Sequence, residues 1–433
     1  MAANFLAIDF GASSGRHIVG YEENGELVLK EVYRFPNGMK PTEQGLVWDT
    51  DELFMHVKNG IKEAIKQFSK IESLAIDTWG VDYILMKGNE DVRPHFAYRN
   101  DRVNQRIDQV HAITPFSELY EHTGIQFAAF NTIYQLFDDL KRGRLEGVTD
   151  FLMIPEYFSY LLTGVKKKEY TDASTTGLIN AKTGQFDLEI TRKLGLPDVL
   201  FPEVSQPGTF VGMLKEDIAE EVGGQMKVLL CASHDTGSAF EAVDCPSDSI
   251  IVSSGTWSLI GNKLEVANTG KKAFEANFTN EGGVGYIRFL KNIMGMWIVN
   301  NVQKPKGYSF KEVADLVASS TYEEVFDVND ESLNAPENME LAIKALLKHN
   351  PPKNDGDLFN SIFHSLAHSY KVAADEMEKI LDKKFNSIYI VGGGANNKYL
   401  NGLVEKHSGK KVVALPIEAT AIGNIKVQMK EYK

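Results

Sequence analysis

What most limits the folds open to this chain is a strand that runs into a loop of small residues and then turns back. Phe5-Leu6-Ala7-Ile8-Asp9-Phe10 is apolar apart from one carboxylate, which reads as a buried strand. Gly11-Ala12-Ser13-Ser14-Gly15-Arg16 follows it. Small residues at such a point let backbone N–H groups approach a phosphate closely. Asp9 stands where the strand leaves the core, a natural place for a metal-side carboxylate. His17 to Tyr21 and Leu27 to Phe35 read as two more strands around Asn24-Gly25, the strongest short hairpin signal. A single strand ending in Asp and Gly is most often only a turn. This one recurs. Ile250 to Gly261 is again an apolar strand, a Ser/Gly/Thr loop and an apolar continuation, and Leu74-Ala75-Ile76-Asp77 repeats Leu6 to Asp9. Two related halves are expected, each presenting a loop that can grip phosphate. No G-x-x-x-x-G-K-[ST] occurs, so this is not a P-loop.

At 433 residues, with domains of ~100–200 residues, two to four domains are expected. Cys245-Pro246-Ser247 interrupts the chain just ahead of the second loop, which places a boundary near Asp244 and divides the chain into 1–244 and 245–433. A net charge of −13 opposes nucleic acid and anionic membranes. Met1-Ala2-Ala3-Asn4 carries no basic segment before an apolar run, so no signal peptide is expected. No apolar stretch nears the ~20 residues of a membrane helix. Two cysteines make neither a zinc site nor a disulfide framework, and a reduced cytoplasm is the expected compartment.

Several stretches carry candidate chemistry. In Trp79-Gly80-Val81-Asp82, an apolar face, a small residue and a carboxylate suit a sugar, whose ring stacks and whose hydroxyls donate. Asp77 is weighed equally between the site and a structural role. Met226 to Ala232 reads as a strand that delivers His234-Asp235-Thr236 to the start of a helix. A carboxylate there is stabilised as the anion, which fits a base that takes a hydroxyl proton. Arg288 to Asn300 shows apolar helical spacing, with Asn292 and Asn300 two turns apart and nearly on one face. Ser387 to Val391 reads as a strand running into Gly392-Gly393-Gly394 and a helix, a context that favours a flat ring and phosphate. Val412 to Pro416 reads as a last strand, and Glu418 to Asn424 opens a closing helix.

Together, Ile8 to Arg16, His234 to Ala239, Ser253 to Trp257 and Gly392 to Gly394 resemble the FGGY carbohydrate kinases. The resemblance spans nearly the whole chain in order. It implies an α/β architecture of two ribonuclease-H-like, actin-like ATPase domains around a central cleft, the first holding the sugar and the base, the second the nucleotide. It implies Asp235 as proton acceptor. Gly80, Asp82, His234, Asp235, Thr236 and Asn292 would meet the sugar. Asp9, Ala12, Ser13, Ser14, Gly15, Arg16, Thr256, Asn300, Gly393 and Gly394 would meet ATP, with Mg2+ held by Asp9 through water. Where the family often has Gln, this chain has Asn300. Arg34 to Asn37, Ile76 to Asp82, Ser254 to Leu259 and Leu290 to Gly295 narrow the likeness to members acting on L-rhamnulose at O1. Another ketose or a polyol, such as L-fuculose or xylulose, is the nearest alternative, and an actin-like ATPase without sugar kinase activity a distant one. The expected state is a monomer or weak homodimer.

Overall fold

Strand β1 (Asn4–Phe10) is buried over six of its seven residues, as its apolar run predicts. The computed structural model describes residues 3–334, 336–415 and 418–432, so Met1, Ala2 and the expected strand end Pro416 lie outside it. The hairpin of β2 (Ser14–Glu23) and β3 (Glu26–Pro36) turns at Asn24 and Gly25, both at positive φ, which is the turn an Asn-Gly pair favours. Helix α1 (Thr50–Phe68) follows. The Asp49 side chain caps it by accepting the Glu52 N–H, and Leu53, Val57, Ile61 and Ala64 lie on its buried side. Then come β4 (Ser73–Thr78), β5 (Phe210–Met213), β6 (Lys227–Leu229) and helix α2 (Asp235–Ala242).

The chain divides into two compact units. The first comprises Met1–Ala242, Leu264–Phe289 and Thr420–Lys433. Its sheet runs β5-β6-β4-β1-β2-β3. β1 lies antiparallel to β2 and parallel to β4, and the register sets Asp9 beside Arg16 on one side and Asp77 on the other. A second apolar cluster holds the helical region after the first Trp-Gly turn. There Tyr83, Leu119, Tyr134, Phe137, Phe151, Leu178 and Phe201 are buried together.

The second unit comprises Val243–Lys263 and Leu290–Ala419. Its strands are β7 (Ser249–Ser254), β8 (Trp257–Leu264) as far as Lys263, β9 (Ile287–Met294) from Leu290 onward, its first three residues lying with the first unit, then, past helices α3 (Met296–Lys306) and α4 (Asp355–Leu381), β10 (Ser387–Val391) and β11 (Lys411–Ala414). They line up as β9-β8-β7-β10-β11, with β7 antiparallel to β8 and parallel to β10. This repeats the order β3-β2-β1-β4-β6 of the first sheet, as the recurring strand and loop predicted. The apolar stripe of α4 is core: Phe359, Ile362, Phe363, Leu366, Tyr370 and Met377 are all buried.

One expectation is corrected. Arg288 to Asn300 is not one helix: Arg288 to Met294 lie in β9, Gly295 breaks the chain, and α3 begins at Met296. Asn292 and Asn300 therefore share no helix face.

The closing helix α5 (Ala419–Tyr432) lies with the first unit from Thr420 onward. Its Asn424 side chain donates to the Ala75 carbonyl at 3.1 Å and to Asp77 Oδ2 at 2.5 Å. Gln428 donates to the Leu6 carbonyl and accepts from Ser73 Oγ. Among the described residues no helix is long and apolar enough to cross a membrane.

Candidate functional site

In the first unit the strand ends gather the expected carboxylates. Asp9 and Asp77 are paired across parallel strands, and Thr78 bridges to His234, which sets His234-Asp235 beside the end of β4. Asp9 is paired with Arg16: the guanidinium Nε and Nη2 both approach Oδ2, at 2.9 and 2.8 Å. The loop between them is a tight turn in which the Gly11 N–H donates to the Ser14 carbonyl. Asn37, just past the end of β3, pins it, its side chain donating to the Gly11 carbonyl at 2.8 Å. Ala12 and Ser14 are half-buried, Ser13 is exposed and Gly15 is buried.

Asp77 is fully buried. One oxygen accepts from Asn424 and the other has no hydrogen-bond partner among the described residues. Burial, and then the Asp9 charge, push its carboxyl well above the usual carboxylate range.

Asp235 opens α2. Its neighbours are the Thr236 hydroxyl, which donates to Oδ1 at 3.1 Å, and His234 Nε2 at 3.5 Å. Desolvation and the Asp9 charge hold it above the ordinary value against the lowering by His234. A helix N-terminus by itself favours the anion; here burial and a like charge outweigh it. The Asp235 side chain keeps 32% of its surface exposed, against 9% for Asp9 and none for Asp77 and Asp82. Of these four carboxylates, Asp235 has by far the most open approach.

Behind His234 lies a pair of buried charges that no local sequence pattern marks. His234 Nδ1 lies 3.2 Å from Arg288 Nη2 and 3.3 Å from Glu281 Oε2, and Arg288 Nη1 sits 3.1 Å from Glu281 Oε2. Burial pushes the Glu281 carboxyl up, but the Arg288 charge and His234 outweigh it and hold it below its usual value. Nδ1 faces Arg288 and Glu281, and Nε2 faces Asp235. The imidazole is thus fixed from behind and presents one edge to the candidate base.

The Gly80-Val81-Asp82 turn is strained. Val81 has φ +67°, a region that β-branched residues rarely enter. Three side chains hold it there: Thr175 Oγ1 accepts the Val81 N–H, and Thr132 and Gln135 donate to the Val81 carbonyl. A Cβ on Gly80 would lie 2.9 Å from the Thr175 side chain, so only glycine permits this approach. Strain of this kind costs about 1–3 kcal/mol and gathers at functional sites. Asp82 is fully buried, and its Oδ2 accepts both indole N–H groups, Trp48 at 2.6 Å and Trp79 at 2.9 Å. The two rings lie 4.0 Å apart. Burial, partly offset by these bonds, raises the Asp82 carboxyl to about 7.

In the second unit the β7–β8 turn presents Gly255 and Thr256, both exposed. The backbone after β9 grips this turn: Met296 N–H donates to the Gly255 carbonyl, and Gly295 and Trp297 N–H to that of Thr256. Asn292 lies on β9 and Asn300 on α3, each half-buried. After β10, Gly392 has φ +82°, and a Cβ on Gly394 would lie 2.0 Å from Ser254 Oγ. Two of the three glycines are thus required for packing on β7. Gly393 is exposed, and a Cβ there would meet none of the described residues within 4 Å. A short turn, Gly393–Asn396, precedes the helix Lys398–Ser408.

Residues 4–240 match the N-terminal domain, and residues 250–432 the C-terminal domain, of the FGGY family of carbohydrate kinases. The rhamnulokinase of Oceanobacillus iheyensis is 42% identical over 98% of this chain and 92% of its own length. That of Halalkalibacterium halodurans is also 42% identical, over 98% of this chain and 92% of its own length. Among solved structures, the fold is similar to that of xylulose kinase from Lactobacillus acidophilus, with a TM-score of 0.83, 16% identity, and coverage of 99% of this chain and 89% of that one. The chain belongs to the FGGY family of carbohydrate kinases, α/β enzymes that phosphorylate a small sugar with ATP.

Proposed function

We propose that this chain transfers the terminal phosphoryl group of ATP to O1 of L-rhamnulose, with Asp235 as the general base. The substrate follows the rhamnulokinases, which match over nearly full length at 42% identity. The observation that carries the base is the exposure of Asp235 beside three carboxylates that have little or none. Its raised proton affinity suits a group that takes a proton as the alcohol attacks. The C1 oxygen bonds to the terminal phosphorus, its proton passes to Asp235, the bond to the bridging oxygen breaks, and ADP leaves. Positioning and charge stabilisation do most of the remaining work in phosphoryl transfer.

The sugar and the base belong to 1–244, with Gly80, His234, Thr236 and Asp82 around the ketose. The nucleotide belongs to 245–433, with Thr256, Asn300, Gly393 and Gly394 as its contacts. Asp82 serves the sugar by fixing the Trp48 and Trp79 rings. A divalent cation would be held at the end of the first sheet by Asp9, whose Oδ2 is bonded to Arg16. Mg2+, a hard cation that keeps several waters, would be held there by Asp9 through water, where it neutralises phosphate charge. The enzyme is placed in the cytoplasm as a monomer or weak homodimer.

The test is ADP release, measured by a coupled assay over a panel of ketoses and polyols that includes L-rhamnulose, L-fuculose and xylulose. L-Rhamnulose is expected to give the highest kcat/KM. A higher value for another sugar overturns the substrate, and ATP consumption that ignores sugar overturns the kinase reading of the site.

A further inference from the structure

The turn that delivers His234 and Asp235 is held from a segment more than sixty residues earlier in the chain. Glu169 is fully buried. It accepts four donors: Thr171 N–H at 2.8 Å on Oε1, and Thr171 Oγ1 at 2.7 Å, Asp172 N–H at 3.0 Å and Ser233 N–H at 3.2 Å on Oε2. Thr171 Oγ1 in turn accepts the His234 N–H at 3.2 Å. The two backbone N–H groups just before Asp235 therefore end on one carboxylate, one directly and one through a hydroxyl. From the other side, the Ser233 carbonyl accepts the Thr78 N–H at 2.9 Å. Buried backbone donors need partners, and a fully donated carboxylate is a stronger acceptor than a neutral oxygen.

We propose that Glu169 and Thr171 are positioning residues for Asp235: they clamp the Ser233–His234 backbone so that the carboxylate at the head of α2 meets the sugar hydroxyl in line. Neither side chain touches the reacting atoms. This inference rests on Asp235 being the base. A shift of about 1 Å in a reacting group can cost ~10²-fold in rate, so the clamp acts on kcat.

The test uses the full-length enzyme. Thr171→Val keeps the shape but removes the hydroxyl that links His234 N–H to Glu169; Thr171→Ser keeps it. Glu169→Gln turns one acceptor oxygen into a donor facing N–H groups. Thr171→Val and Glu169→Gln are expected to lower kcat by ~10-fold to ~10²-fold with the KM for ATP unchanged, and Thr171→Ser to restore it. In the double variant Thr171→Val/Asp235→Asn, turnover is expected to equal that of Asp235→Asn alone, because a residue acting only through Asp235 adds nothing once that group is gone. Wild-type kcat in folded Thr171→Val, or full additivity in the double variant, overturns the clamp. Should Glu169→Gln fail to fold, the Thr171 variants decide. Wild-type turnover in Asp235→Asn overturns the base itself, an outcome separate from either result for the clamp.

Discussion

Asp82 gives a prediction that can be followed in light. Its carboxyl is raised from 3.8 to about 7 in the folded chain, chiefly by burial, while the Trp48 and Trp79 N–H bonds to Oδ2 pull it back. A shift of that size is worth ~4 kcal/mol between the two protonation states, at ~1.36 kcal/mol per pH unit. The sign follows from proton counts. Between 3.8 and about 7 the native state holds a proton that the unfolded chain has released, so this group's contribution to stability falls as pH rises through that range. Asp82→Asn keeps an oxygen for the indoles and has nothing to ionise. Its urea midpoint should therefore gain on the wild type between about pH 4 and about pH 7, by up to the equivalent of ~4 kcal/mol. The reporter is built in, since Trp48 and Trp79 are two of only four tryptophans and both bond the titrating group. Tryptophan emission of the native wild type should change with a midpoint near pH 7, and that transition should vanish in Asp82→Asn. A flat emission profile across this range, or the same transition in Asp82→Asn, would refute the reasoning.

Asp235→Asn should lower turnover by ~10²–10⁴, the usual worth of a general base, with little change in thermal stability; near-normal steady-state turnover would remove Asp235 from the chemistry. Arg288→Met leaves Glu281 buried without its cation and should cost ~3–5 kcal/mol, read as a lowered denaturant midpoint. The glycines after β10 should separate by role. Gly394→Ala collides with Ser254 and should lower the melting temperature. Gly393→Ala meets no atom of the described residues within 4 Å, so it should keep the wild-type melting temperature and raise only the KM for ATP; an unchanged KM would take Gly393 out of the nucleotide contacts.

Much of this was legible because the signals were local. The apolar run of Phe5 to Phe10, the Asn24-Gly25 turn and the repeat of Leu-Ala-Ile-Asp at 74–77 each specify backbone on their own, and the repeated sheet order follows from them. Arg288 to Asn300 reads as one helix because its apolar residues fit a helical spacing; the stop at Gly295 is the better guide. The charges behind His234 escaped notice for another reason. Arg288 and Glu281 gain their meaning from a histidine about fifty residues away, and no period within either segment encodes that meeting. The same holds for Glu169, which looks like one member of a small polar run until Ser233 arrives. The positive φ of Val81 was equally hidden, since a β-branched residue argues against the conformation that Thr132, Gln135 and Thr175 impose.

The place of α5 bears on how the molecule is made. Asn424 and Gln428 bond Asp77, Ser73 and the carbonyl of Leu6, deep among the earliest strands. A ribosome that has released residue 242 has not yet synthesised the helix those strands wait for. The bonds from Asn424 to Asp77 and from Gln428 to Leu6 and Ser73 therefore form only after the whole of that sheet has been made.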